Sequence, residues 1–93
     1  MSIKLALLFF LLEKEGSYKS QFKYPRGICV DGMGNIIVAD SGNGCVKMFD
    51  SQGRFLCHIA SGMKDPSGVA VSPGGDVVVT DTYDHTVSVW TQG

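Results

Sequence analysis

Basic surplus, proline, long apolar runs and paired cysteines are all scarce in this chain of 93 residues, and each shortage excludes something. Eight Lys and Arg stand against nine Asp and Glu, so the chain lacks the excess basic charge of a general polyanion binder. Charged residues make up 18% and hydrophobic residues 44%, which is not the composition of a disordered chain. Only three prolines accompany twelve glycines, and the glycines punctuate short apolar runs, as tight turns do and linkers do not. Cys29, Cys45 and Cys57 form no CxxC pair, and any disulfide scheme leaves one over. That excludes a disulfide framework and a zinc knuckle, and predicts reduced, part-buried thiols. His58 and His85 have no second ligand at metal spacing. No Ser-His-Asp arrangement or phosphate loop occurs, so no catalytic residue, metal or cofactor is implied.

The longest apolar run, Leu5–Leu12, lies within IKLALLFFLL near the N-terminus. A membrane-spanning helix needs about 20 residues, so no stable span is expected. The run suits the core of a signal peptide, but a cleavage before Ser17 would place Lys14 where a small residue is wanted. A cytoplasmic location is therefore expected, with secretion as the alternative should residues 1–16 act as a leader. A strand that pairs with the next element, or a start not native to the domain, are the other readings of this stretch. Charge is uneven beyond it: after residue 54, Lys64 stands alone against Asp65, Asp76, Asp81 and Asp84.

The remainder is two copies of one unit. Pro25–Gln52 lies over Pro66–Gly93 at a shift of 41 residues without a gap. Pro25/Pro66, Gly27/Gly68, Val30/Val71, Gly34/Gly75, Val38/Val79, Asp40/Asp81 and Val46/Val87 are identical. Ile28/Val69, Ile36/Val77, Ile37/Val78, Ser41/Thr82 and Phe49/Trp90 keep their chemistry. The matches fall on turn glycines and apolar positions, as a shared backbone requires. The first unit predicts strands at 27–30, 35–40, 45–49 and 54–60, separated by turns at 31–34, 41–44 and 50–53. The strand at 45–49 is expected to be half exposed. The second unit repeats the first three strands at 68–72, 76–81 and 86–90. No stretch beyond the N-terminal run has helical periodicity. Short strands on a period near 40 residues indicate an all-β fold made of four-stranded antiparallel propeller blades. The expected organisation is a non-repeat segment at 1–15, a first repeat at 16–60 and a second at 61–93 that lacks a fourth strand.

The two units resemble the NHL repeat. The likeness rests on Gln21-Phe22, Pro25-Arg26-Gly27-Ile28, Val30-Asp31, Gly34-Asn35-Ile36, Val38-Ala39-Asp40-Ser41 and Asn43. It continues through Val46, Phe49-Asp50 and Gly53-Arg54-Phe55, and returns more loosely in residues 66–90. The Gly-His and Trp-Asp signatures of WD repeats are absent. The family often carries a basic residue just before the apolar residue of the third strand; Cys45 and Thr86 occupy that place, so an inter-blade ion pair made there is expected to be lost. The resemblance implies closed rings of six blades. The chain then reads as the C-terminal two repeats of a larger protein, a fragment or short isoform. Association of copies to cover exposed blade faces, or cover of an edge by Ile3–Leu12, are the other ways of shielding its flanks.

Blade geometry sorts the loops between two faces. Residues 31–34, 50–53 and 73–75 share one; residues 19–26, 41–44, 61–67 and 82–85 share the other. On the second face Lys23, Tyr24, Arg26, Asn43, Lys64, Ser67, Tyr83, Asp84 and His85 are the candidate partner-binding residues, with Phe22 assigned to the core. The resemblance implies a non-catalytic protein-interaction module, the substrate-recognising part of an E3 ubiquitin ligase-type protein whose partner is a ubiquitination substrate. Basic groups interleaved with aromatics also suit single-stranded RNA, which makes RNA binding in post-transcriptional regulation the first alternative. Asp40 and Asp81, at equal positions of successive blades, raise a second: part of a six-bladed propeller enzyme with a divalent cation in its channel. The same carboxylates also suit a plainer task, accepting backbone N–H bonds in the following loop.

Overall fold

A computed structural model describes residues 22–91. The stretch Ile3–Leu12, Tyr18, Lys19 and Gln21 fall outside the described residues, as do the readings placed on them. Seven strands make up the fold: β1 (Pro25–Val30), β2 (Ile36–Asp40), β3 (Cys45–Phe49), β4 (Phe55–Ala60), β5 (Pro66–Val71), β6 (Val77–Asp81) and β7 (Thr86–Trp90). A single 3-10 turn, Ser41–Asn43, is the helical content among the described residues. The strands form two antiparallel sheets, β1-β2-β3-β4 and β5-β6-β7. These are one four-stranded blade and three strands of another, an incomplete propeller in the described residues.

The turns show why the chain reverses where it does. At Asp31, a carboxylate oxygen accepts the N–H groups of Met33 and Asn35, both at 2.9 Å. Gly34 then takes φ of 86° to close the hairpin. Asp50 repeats the device on Gln52 and Arg54 at 2.8 and 2.9 Å, with Gly53 at φ 87°. In the second blade Ser72 replaces the carboxylate with a hydroxyl that accepts from Asp76 N–H at 3.1 Å, and Gly75 takes φ 91°. Asp and Ser side chains bond backbone two to four residues on, and glycine enters the left-handed region freely.

The register repeats with the sequence. Gly27 pairs with Ala39 and Gly68 with Thr80, and both inner strands slip register just after their proline. A bulge at the strand start is where a proline, lacking its N–H, is tolerated. Strand β1 packs beside β5, and a Cβ on Gly27 would collide with the Ser67 carbonyl oxygen. Close approach of the two inner strands therefore requires Gly27.

The blades stack through unlike faces. Ile37, Ala39, Val46, Met48 and Ala60 of the first sheet bury against Val77 and Val79 of the second. Ile36, Val38 and Phe49, on the other face of the first sheet, form a separate cluster with Phe22, Ile28 and Phe55. Phe22 is thus part of the packing, as expected, with its ring edge-on to Phe49 at 5.6 Å. One expectation is overturned: β3 is buried along its whole length rather than half exposed. Cys45, Lys47 and Phe49 share the face of Val38, and Val46 and Met48 face the second blade. A strand buried on both faces needs no polar alternation; the one polar residue, Lys47, is accommodated by an ion pair. The cysteines also differ from expectation, since Cys45 is buried, Cys29 half-buried and Cys57 exposed.

Candidate functional site

Two buried carboxylates organise the loop face. Asp40 ends β2 and is fully buried. It accepts the backbone N–H of Tyr24 at 2.9 Å and of Lys23 at 3.2 Å, the Asn43 amide at 2.7 Å and the Lys47 ammonium at 3.3 Å. Burial opposes its ionisation, but these donors from Tyr24, Asn43, Lys23 and Lys47 prevail and hold the carboxyl below the ordinary aspartate value. Asp81 occupies the same place in the second blade, where the lysine is replaced by Ser88. It compensates with backbone alone: Lys64, Asp65, Tyr83 and Asp84 donate at 3.0, 3.2, 3.0 and 3.3 Å. Its carboxyl is likewise held low against the cost of burial. Each carboxylate ties the residues before the first strand to the turn after the second. Among the described residues no group of three or more His, Cys, Asp or Glu side chains is placed to hold a metal ion.

The face these anchors build is continuous across the blades. Ser41 N–H donates to the Tyr24 carbonyl at 2.9 Å, and Thr82 N–H to the Asp65 carbonyl at 3.0 Å. Met63 N–H donates to the Gly44 carbonyl at 2.9 Å, laying the connecting loop against the 3-10 turn. Lys23, Tyr24, Arg26, Asn43, Lys64, Ser67, Tyr83, Asp84 and His85 therefore share one side, but not one role. Asn43 is spent on Asp40. Arg26 reaches across the blade boundary to Asp65 with Nη1 at 3.3 Å from a carboxylate oxygen, and the Ser41 hydroxyl donates to the same group. Ser67 is bound to Thr82 at 2.6 Å. The outward group is Lys23, Tyr24, Lys64, Tyr83, Asp84 and His85. Tyr24 and Tyr83 are 66% and 68% exposed. Lys64 lies 4.9 Å over the Tyr83 ring and 3.5 Å from Asp84. Lys23 and Lys64 occupy equal positions of successive blades, so the cations recur with the fold.

Two ion pairs stand where none was expected. Arg26–Asp65 joins the blades, and Lys47–Asp40 lies buried inside the first one. Lys47 was missed because the family's usual basic position is held by Cys45. Cys45 stands opposite Asp40 in the register, and Lys47, two residues further along the same face, meets Asp40 diagonally, with its ammonium also 5.1 Å from the Phe22 ring. On the opposite side an open valley of about 870 Å³ runs between the turns at 31–34 and 73–75.

Comparison with known proteins agrees with this geometry. The profile of the NHL repeat matches residues 22–49 and 63–90, the two segments that carry strands one to three of each blade. The chain belongs to the NHL-repeat family. Human NHL-repeat-containing protein 4 is 38% identical over 69 residues, 74% of this chain and 56% of that protein. The mouse E3 ubiquitin-protein ligase TRIM32 is 35% identical over 74 residues, 80% of this chain and 11% of the ligase. The Drosophila melanogaster protein brain tumor is 34% identical over 85 residues, 83% of this chain and 8% of that protein. The NHL chain thus spans about half the length of the first relative and about a tenth of the others. Among the described residues no helix is long and apolar enough to cross a membrane.

Proposed function

We propose that this chain is a non-catalytic NHL-repeat recognition module that presents a protein-binding face, and that it serves the target-choosing part of an E3 ubiquitin ligase-type protein. The observation that carries the reading is the pair of exposed tyrosines, each beside a lysine, on loops whose backbone N–H groups are bonded to Asp40 and Asp81. Tyrosine supplies large contact area at little entropic cost, and a preorganised loop lowers the cost of binding. The similarity to TRIM32 supports the connection to ubiquitin transfer. The test is site-specific photo-crosslinking in cells from position 24, position 83 and, as a control on the opposite face, position 33. A discrete protein adduct from 24 and 83 but not 33 is expected, and the adducted protein should be ubiquitinated when the chain is joined to a RING-bearing ligase. Absence of an adduct at both tyrosine positions overturns the reading.

Single-stranded RNA is the second reading, favoured by the recurrence of Lys23 and Lys64 one blade apart beside Tyr24 and Tyr83. Arg26 contributes less, since it is engaged by Asp65. A filter-binding titration at low salt decides it: affinity that falls with salt and with Lys23→Ala/Lys64→Ala supports RNA, and no retention removes it.

A further inference from the structure

Tyr24 and Asp65 hold the same place in successive repeats, one residue before the proline that opens the first strand. At both places the backbone does the same work. The Tyr24 N–H donates to the Asp40 carboxylate at 2.9 Å, and its carbonyl accepts from Ser41 N–H at 2.9 Å. The Asp65 N–H donates to the Asp81 carboxylate at 3.2 Å, and its carbonyl accepts from Thr82 N–H at 3.0 Å. A tyrosine serves this place in the first blade, so the loop does not require a carboxylate there. In the second blade the side chain turns back across the boundary, where it accepts Arg26 Nη1 at 3.3 Å and the Ser41 hydroxyl. Those two residues bracket Tyr24: Arg26 follows it by two positions, and Ser41 holds its carbonyl. The Asp65 backbone meanwhile shares one oxygen of Asp81 with Tyr83, whose N–H donates to it at 3.0 Å. One residue thus touches the fastenings of both tyrosine loops, by side chain in one blade and by backbone in the other. The Arg26 and Asp65 side chains are 45% and 27% exposed, and a pair so open to water contributes little to stability.

We infer that Asp65 is a positioning residue of the recognition face: it fixes the Tyr24 loop against the Tyr83 loop across the blade boundary, so that the two tyrosines form one composite site that a single protein partner engages together. The partner rests on the recognition reading above; the geometry rests on the hydrogen bonds alone. Two loops held in one relation meet a shared partner without the entropy loss of aligning them first, and the second contact then forms within the complex already made. Loops that moved independently on separate blades would offer two weaker contacts.

Double electron–electron resonance tests the geometry on the 93-residue chain, with nitroxides attached to ketone-bearing phenylalanine analogues at positions 24 and 83 so that the native cysteines stay unlabelled. The parent should give one narrow distance distribution. Asp65→Ala should widen it. Arg26→Ala should widen it less, because the Ser41 link remains, and the double variant should be no wider than Asp65→Ala alone. Asp65→Asn, which keeps an acceptor for Ser41, should restore much of the narrow distribution. A label pair at 24 and 33, both within the first blade, should not change, and the urea midpoint of each variant should stay close to that of the parent. An unchanged 24–83 width in Asp65→Ala, or a widening that the 24–33 pair shares, overturns the inference. In the crosslinking experiment, positions 24 and 83 should capture the same protein, and Asp65→Ala should lower both yields by about tenfold. Different proteins captured at the two positions, or yields indifferent to Asp65→Ala, overturn the composite site. Absence of any adduct overturns the recognition reading instead, and the distance distributions still decide the role of Asp65.

Discussion

At the scale of single residues, Asp40 and Asp81 do the same work by different means. One uses a lysine, an asparagine and two backbone donors; the other uses four backbone donors. Both carboxyls sit below the ordinary aspartate value of 3.8 in the fold, so folding favours their ionised forms. Their contribution is complete above that value and is lost as pH falls through the lower folded values. The melting temperature should therefore be level from neutral pH down to about pH 5 and should fall below about pH 4. Asp40→Asn should lower the plateau and shrink the acid-side fall, both read by calorimetry across a pH series. That a carboxylate ends strand two in each unit was legible as a turn device. The buried lysine was not, because its partner is set by a diagonal across paired strands and not by distance along the chain.

At the scale of elements, the turn between the second and third strands separates two demands that a glycine can meet. Gly44 and His85 hold the same place, with φ of 64° and 57°. A histidine there carries the left-handed cost of about 1–2 kcal/mol, so the conformation alone does not dictate glycine. What does dictate Gly44 is the Met63 carbonyl, which a Cβ at that position would strike. No such loop presses on His85 in the described residues. His85→Gly should therefore stabilise the chain by up to about 1 kcal/mol. Gly44→Ala should destabilise it by about 3 kcal/mol, from the left-handed cost plus the overlap. Urea unfolding of both variants gives the comparison, and equal effects of opposite sign would contradict it. The hairpins closed by Asp31, Asp50 and Ser72 were readable directly, because side chain, turn and glycine lie within five residues.

At the scale of the whole molecule, stability resides between the blades. Ile37 and Val78 are the same repeat position, the first buried under the second blade and the second half-buried at the open face. Ile37→Ala should cost about 2–5 kcal/mol. Val78→Ala should cost less, about 1 kcal/mol, since its side chain is only half-buried. Equal losses in chemical denaturation would show that the inter-blade core is not the principal store of stability. The burial of β3 belongs to this scale too. Its sequence, CVKMF, carries enough polarity to read as half exposed, yet the second sheet packs on one side of it and, among the described residues, the Phe22, Ile28 and Phe55 cluster packs on the other.

The 41-residue repeat by itself determined the strands, their turns, the blade architecture and the side on which the candidate residues lie, because each follows from short-range pattern and backbone chemistry. Tertiary structure alone decided which of those residues remain available. Arg26, Asn43 and Ser67 are taken by Asp65, Asp40 and Thr82, whereas Tyr24 and Tyr83 point outward. Hydrogen bonds and burial between segments distant in sequence select partners only after the blades have stacked, and no periodicity along the chain encodes that choice.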